Sequence, residues 1–365
     1  MTSEQRLYLA GVGIVSPLGK NTPQTVAAVH AGISAYAESE FDNWAGEPII
    51  MTAVPEDVFA GFTGVIDEGT FYCDLYDRTI KMAIIALRES ISKHDFEGVV
   101  PVVLAMPEPL QGVDQISPKL LAVNIANQAD FPIESKYMRT IRTGRAGGIE
   151  ALDSAFRYVY ELGFEFVIVG GSDSYFDYSV LSALDDERRL LASGEMDGFA
   201  PGEAACFLLL TANKSQALVK NNSVVAFCKP GISEEPGHMR SSEPYLGDGL
   251  SQAFKRALSS VNNPETTQIY ASMNGERFWG KEYGVASMRN DKKLHESVEV
   301  KHPAEFFGDI GAATGSMLVA MAAYDLFKHK DQNTALIYAS SDGSARAAVV
   351  LQKECAHDYK KDGQV

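Results

Sequence analysis

The segment RTGRAGGIEALDSA, residues 142–155, is the first stretch of the sequence in which chemistry could be expected. Its glycines and small residues lead directly into an amphipathic run, which predicts a turn from a strand into a helix with exposed backbone. Turns of this kind present a nucleophile or bind an anion at the helix N-terminus. This turn contains neither serine nor cysteine, and Arg145 stands where a reactive side chain would be expected.

Alternating strand and helix patterns surround this turn and must position it. The first half contains apolar strands at 7–15, 99–106 and 164–171, a loop followed by another buried strand within 198–210, and helical patterns at 76–93, 117–127, 147–160 and 182–191. The second half repeats the order with a helix at 247–261, a strand at 267–275, a glycine-rich turn leading into a helix at 308–330, and two closing strands. This order predicts a layered α/β protein with an internal duplication. We expect an N-terminal half over 1–215, a C-terminal half over 216–355 and a flexible tail over 356–365.

Composition excludes several classes of function. The chain has 365 residues and a formal net charge of -16, which disfavours binding to nucleic acid and to anionic membrane surfaces. No apolar run reaches the ~20 residues that span a bilayer, and no basic and apolar leader opens the sequence, so we expect a cytoplasmic protein. The cysteines form no CxxC pair and the histidines no HExxH motif. The sequence therefore predicts no metal site, and we expect no cofactor.

Five segments in a consistent order give the chain a family resemblance. They are LAGVGIVSPLG (9–19), TGRAGGIEAL (143–152), FVIVGGSDS (166–174), DGFAPGEAACFLLL (197–210) and GDIGAATG (308–315). Together they resemble the thiolase-fold condensing enzymes, and most of all the β-ketoacyl synthase branch. The resemblance implies a five-layer αβαβα fold made of two similar halves. It also implies a homodimer, or a heterodimer with another thiolase-fold subunit.

The chain departs from this family where the chemistry takes place. The resemblance implies a nucleophilic cysteine, two histidines and a lysine; their positions fall on Arg145, Ser272, Asp309 and Ala304. A guanidinium group stays protonated and cannot attack a thioester, and an aspartate would repel an enolate. We therefore predict no catalytic residues. Our hypothesis is a bidentate, partly buried ion pair between Arg145 and Asp309 across the former pocket.

Other interpretations of these residues remain open. Arg145 could bind a carboxylate or phosphate at the helix N-terminus, or lie at the edge of the core. Asp309 could cap a helix, and Ser272 could simply fill a vacated site. Glu203, Asn274 and Gly308 are further pocket or structural candidates, and we expect Glu203 to hold loops by hydrogen bonds.

The leading functional prediction is a catalytically degenerate, non-enzymatic adaptor or partner subunit. Residues 185–205 resemble thiolase-like accessory proteins encoded beside type VI secretion effectors, which implies a secreted effector as a protein client. One alternative is a subunit similar to a chain-length factor, paired with an active ketosynthase. Another is an acyl-thioester-processing enzyme, an acyltransferase with a non-standard site.

Overall fold

A computed structural model describes residues 5–60, 74–113, 117–128, 133–261 and 266–356. Its strands are β1 (Leu7–Val15), β2 (Ala37–Asp42), β3 (Pro48–Met51), β4 (Val102–Ala105), β5 (Met138–Ile141), β6 (Phe166–Ser174), β7 (Glu203–Thr211), β8 (Ser223–Phe227), β9 (Gly231–Glu234), β10 (Thr266–Ala271), β11 (Leu294–Lys301), β12 (Thr334–Ser340) and β13 (Ala345–Cys355). Its α-helices are α1 (Thr22–His30), α2 (Asp74–Ile91), α3 (Pro118–Gln128), α4 (Gly147–Tyr160), α5 (Tyr178–Asp186), α6 (Asp248–Ser259), α7 (Arg277–Arg289), α8 (Ala304–Phe307) and α9 (Thr314–Lys328).

The pairing of the strands is duplicated. One sheet runs in the order β11-β10-β12-β13-β8-β1-β7-β6-β4-β5, and β9 pairs with β13 beside this path. From the β1–β8 contact outward, each side has two antiparallel pairings followed by two parallel ones. The two halves meet at the short pairing of Leu7 with Phe227 and Tyr8 with Ala226. This agrees with the predicted duplication, whereas the boundary at 215/216 stays a prediction and residues 357–365 of the predicted tail lie outside the described residues.

Three clusters of buried apolar side chains fill the spaces between the helical layers and the sheet layers. Successive strand residues point to opposite faces, so Val167 and Val169 of β6 join the central cluster while Ile168 joins an outer one. The central cluster also contains the buried faces of α4 and α9, which lie between the two halves of the sheet. Helices α2 and α3 cover one outer face and α6 and α7 cover the other. The result is the predicted αβαβα arrangement.

Two local predictions were wrong. Residues 34–72 were expected to be irregular, but β2 and β3 form an antiparallel hairpin there; residues 61–72 lie outside the described part. The helix expected at 182–191 is α5, which begins at Tyr178 because the Asp177 side chain accepts hydrogen bonds from the amides of Ser179 and Val180. It ends at Asp186, before Arg188 adopts a positive φ of 59°. Among the described residues, no helix is long and apolar enough to cross a membrane.

Candidate functional site: a buried ion-pair network

Three turns bring the charged groups of the candidate site together. Arg145 lies in the 3-10 turn between β5 and α4, Asp309 in the turn between α8 and α9, and Asp342 in the turn after β12. The first turn depends on Gly144, which has a φ of +56° and faces the Glu108 side chain closely. Glu108 in turn accepts hydrogen bonds from the amides of Asp342 and Gly343, at 2.9 Å each. One carboxylate therefore binds the backbone of the third turn and packs against Gly144 in the first.

All three guanidinium nitrogens of Arg145 have an acceptor. Nη1 donates to Asp309 Oδ2 at 2.6 Å, Nη2 to Asp342 Oδ1 at 2.8 Å, and Nε to the carbonyl oxygen of Ser340 at 2.9 Å. The guanidinium carbon also lies 4.3 Å from the centre of the Trp279 ring. Burial alone would lower the pKa of Arg145, but the charges of Asp309 and Asp342 outweigh it and raise the pKa above its usual value. Arg145 is thus held as a buried cation.

The expected contact between Arg145 and Asp309 is present, but its expected bidentate geometry is wrong. Only one oxygen of Asp309 binds Arg145, and the second guanidinium arm goes to Asp342. Asp309 Oδ2 also accepts from Asn274 Nδ2 at 2.8 Å, and Oδ1 accepts from the amide of Gly311 at 2.9 Å. Both oxygens of the buried carboxylate therefore have donors.

A second buried arginine extends the network. Arg189 donates from Nε and Nη2 to the two oxygens of Glu276, at 2.7 and 3.0 Å, and binds Asp342 as well. Burial alone would raise the pKa of Asp342, but the charges of Arg145 and Arg189 hold it well below its usual range. Arg240 contacts Asp342 at 3.2 Å from the more exposed side. In this network each buried guanidinium group is therefore paired with a carboxylate.

The residues predicted from the sequence converge on one very small cavity of about 10 Å³. Six of the seven predicted site residues line it: Arg145, Ser272, Asn274, Ala304, Gly308 and Asp309. A cavity of this size is at the lower limit for a single water molecule. The space between the positions to which the resemblance assigns the nucleophile and the histidines is therefore filled by side chains.

The uncharged members of this set have structural contacts. Ser272 Oγ accepts a hydrogen bond from the amide of Ser340 at 2.9 Å, which ties β10 to β12. The carbonyl of Ala304 accepts from the Tyr36 hydroxyl at 2.7 Å. Gly308 has a φ of +71°, and a Cβ there would lie 2.5 Å from the carbonyl oxygen of Ala200. Only glycine fits this approach between two turns.

Glu203 lies outside this cavity and binds other elements. It is fully buried at the start of β7, where Oε1 accepts from the amide of Val54 at 2.8 Å. Its Oε2 accepts from Arg78 Nε and from Ser174 Oγ, at 2.8 Å each. Glu203 thus joins β7, β6, α2 and the loop after β3 through hydrogen bonds.

A second, larger cavity of about 80 Å³ lies on the other side of Arg145. Its lining includes the apolar side chains of Met106, Leu110 and Leu184, and the carboxyl group of Asp173. Asp173 accepts hydrogen bonds from the amides of Ala312 and Ser174, yet burial raises its pKa to about 7. The charge of this carboxyl group therefore changes near neutral pH, and burial also raises the pKa of Glu108 in the same lining.

Sequence reasoning missed Arg189, Glu276 and Asp342. Arg189 lies in the helical pattern expected over 182–191, but the structure places it after α5, where it is buried. Glu276 precedes α7, a helix that the sequence analysis did not predict, and Asp342 lies in a turn with no recognisable motif. The segment LDDERRLL has five consecutive charged residues, which is typical of a surface, so it gave no signal that Arg189 is buried.

Comparison with known proteins shows the fold. No family model matches the sequence, and no curated protein matches it. The structure is similar to "the ishigamide ketosynthase/chain length factor", with a TM-score of 0.76, 16% identity, and coverage of 96% of this chain and 99% of that one. It is also similar to a ketosynthase in complex with its chain length factor from Xenorhabdus doucetiae (TM-score 0.69, 16% identity, 96% and 99% covered). A ketosynthase from module 6 of the bacillaene synthase of Bacillus subtilis 168 matches with a TM-score of 0.74 at 11% identity, covering 95% and 72%. The chain therefore has the thiolase-like fold of ketosynthases.

Proposed function

We propose that this chain is a non-catalytic thiolase-fold subunit that pairs with an active ketosynthase, as a chain-length factor does. One observation carries the proposal: Arg145, with all three nitrogens bound, occupies the turn at which the resemblance places the nucleophile. On the side of Arg145 that faces Ser272 and Asp309 the cavity is about 10 Å³ and has no room for an acyl group, and the cavity of about 80 Å³ on the other side presents the same paired guanidinium group instead of a nucleophile. A subunit with this site would act by binding its partner and shaping the shared structure, and would not catalyse acyl transfer itself.

The cysteines of the described chain support this proposal. Acyl transfer by a condensing enzyme needs a thiolate, which is both a nucleophile and a leaving group. Cys206 lies buried in β7, where burial raises the pKa of its thiol. Cys228 is also buried, and Cys355 lies exposed at the end of β13, and neither lines the cavity at Arg145. No described cysteine is therefore placed to form a thioester there.

The edge of the sheet supports a partner of the same fold. Strand β5 ends the sheet and, among the described residues, pairs only with β4. An unpaired edge strand exposes backbone donors and acceptors that a second sheet can use. Two of the structural neighbours are, by name, a ketosynthase/chain length factor and a ketosynthase in complex with its chain length factor. We extend that mode of assembly to this chain as part of the proposal.

The adaptor interpretation and the enzyme interpretation stay predictions. The comparisons do not bear on an association with type VI secretion, and the network at Arg145 is equally compatible with a protein that holds a secreted client. An acyltransferase with a non-standard site would need a nucleophile elsewhere on the chain.

The proposal is tested by the composition of the native complex. We expect the chain, purified untagged from its own cells, to give by native mass spectrometry a one-to-one complex with a second thiolase-fold chain that carries a cysteine at its strand-to-helix turn. Arg139→Glu, in the exposed part of β5, should dissociate the complex, whereas Arg157→Glu on the exposed face of α4 should not. A homodimer or monomer with no such partner would overturn the proposal.

A further inference from the structure

A cavity of about 290 Å³ lies at the C-terminal ends of α1 and α9. Asp325 in its lining follows Thr314, the first residue of α9, by eleven residues, which corresponds to about 16 Å along the helix. Ligand pockets in proteins commonly measure about 300–1,000 Å³ and combine apolar walls with a few polar groups. This cavity is therefore close to the volume of a small-molecule site, and it is separate from the network at Arg145.

One buried carboxylate holds two basic side chains of this cavity side by side. Asp325 Oδ1 accepts a hydrogen bond from His30 Nε2 and Oδ2 accepts one from Lys301 Nζ, both at 2.6 Å. The hydroxyl of Tyr270 also donates to Asp325 Oδ2. Burial alone would raise the pKa of Asp325, but the hydrogen bonds from Lys301 and Tyr270 outweigh it and lower the pKa below its usual value. Asp325 is therefore an ionised hub.

The ionised hub determines which atoms remain available to a ligand. Because Asp325 carries no hydrogen, the hydrogen shared with His30 belongs to Nε2, and Nδ1 of the same ring is left for another contact. The Lys301 ammonium group has three hydrogens, of which one binds Asp325 and a second reaches the Tyr270 oxygen at 3.5 Å. The basic groups of the cluster therefore have hydrogen-bonding capacity left, whereas Asp325 already has three donors.

The rest of the lining combines apolar walls with further basic groups. Val29, Phe306 and Met321 supply apolar surface. Lys328 and His329 lie at the C-terminal end of α9, where the helix dipole favours positive charge. A ligand in this cavity would therefore meet hydrocarbon on one side and basic groups on the other.

The other carboxylates of the lining lie at its exposed rim. Glu299 and Glu305 are both exposed, so solvent and salt screen their charges. Lys301 and His30, in contrast, are fixed by Asp325, which is only 6% exposed. A metal ion does not fit this cluster, because the Lys301 ammonium group already lies 2.6 Å from Asp325 and would repel a second cation there.

From this geometry we propose that the cavity binds a small organic anion. A carboxylate or phosphate group of the ligand accepts hydrogen bonds from Lys301 and from the Nδ1 of His30, whose ring then carries hydrogen on both nitrogens and still donates to Asp325 through Nε2. A short apolar part of the ligand packs against Phe306 and Met321. No group of the Arg145 network takes part in this contact.

Paired anionic and neutral probes test the proposal on the full chain. The probes are phenylacetate, phenyl phosphate and the uncharged phenylacetamide, each titrated at pH 6.5 with binding followed by NMR. We expect saturable binding of at least one anion, roughly tenfold tighter than that of the amide, because the amide lacks the charge that Lys301 binds. The relative affinities of the two anions distinguish a carboxylate ligand from a phosphate ligand.

Variants of the basic residues locate the bound anion. His30→Gln keeps a side-chain amide that can donate to Asp325 but lacks the second ring nitrogen, and it should weaken anion binding roughly tenfold, as should Lys301→Met. The control Lys255→Met removes a positive charge from the exposed side of α6 and should bind as the parent does. Circular dichroism checks that each variant is folded.

Three outcomes would overturn the proposal: no saturable binding of either anion, equal binding of phenylacetamide, or equal affinity of His30→Gln and Lys255→Met for the anion. These results do not depend on the partner subunit proposed above.

Discussion

Removal of the Arg145 guanidinium should destabilise the fold strongly. Arg145→Met keeps most of the length of the side chain but leaves Asp309 and Asp342 without their shared cation, and the carbonyl of Ser340 without its donor. Breaking a buried ion pair by removing one partner costs about 3–5 kcal/mol, which is a large part of the ~5–15 kcal/mol that stabilises a typical domain. We expect the free energy of unfolding at pH 7.5, measured by urea titration with circular dichroism, to fall by that amount.

A matched control separates the buried network from a surface ion pair. Arg157 pairs with Glu161 at 3.3 Å on the exposed side of α4, so Arg157→Met should cost less than about 1 kcal/mol. In a double-mutant cycle with Asp309→Asn, Arg145→Met should show a coupling energy above about 1.5 kcal/mol. If Arg145→Met costs no more than Arg157→Met, or if the cycle shows no coupling, the account of the network is refuted.

Three further variants test other parts of the site by urea unfolding. Asp173→Asn should become more stable relative to the parent as pH rises from 4 to 7. Burial raises the pKa of Asp173 in the folded protein to about 7, so ionisation of this carboxyl group destabilises the folded parent over that interval, and a pH-independent difference would contradict this. Gly311→Ala should cost at least about 2 kcal/mol, since its Cβ would lie 2.0 Å from Asp173 Oδ2 at a φ of +52°, whereas Gly280→Ala, with open space around it, should cost nothing. Glu203→Gln should cost about 2–4 kcal/mol because it leaves Arg78 without its buried carboxylate, and a loss below about 0.5 kcal/mol would show that the other carboxylate near Arg78 suffices.

Local pattern was sufficient to predict the elements that build the site. Strand β1 lies at the residues predicted for it, Leu7–Val15, because a continuous apolar run between polar segments is typical of a buried strand. The glycine-rich turns at 144 and 308–311 were recognised from composition, and both contain glycines with positive φ. These turns fix where Arg145 and Asp309 lie, so their contact could be predicted without a structure.

The rest of the network could not be predicted because its partners are distant in sequence. Asp342 reaches Arg145 across 197 residues and Arg189 across 153, and neither contact leaves a periodic or motif signal. The bidentate geometry expected for Arg145 and Asp309 failed for the same reason, since Asp342 takes the second arm. Glu276 was not recognised because helix α7, which begins directly after it, was not predicted. The positions of the turns could therefore be predicted from the sequence, whereas the ion-pair partners of Arg145 and Arg189 depend on the tertiary packing.

Intact mass spectrometry after incubation with acetyl-CoA, malonyl-CoA and an acyl carrier protein, with thioester loss followed in parallel, tests the central claim most directly. The account predicts no acyl adduct and no thioester turnover on the purified chain, because a fully paired arginine, Arg145, stands where the resemblance places the nucleophile. It predicts the same for Arg145→Cys, because Asp309 and Ser272 still stand where the resemblance places histidines. A covalent acyl adduct on the unmodified chain, or turnover above that of buffer, would contradict the claim that this subunit is non-catalytic.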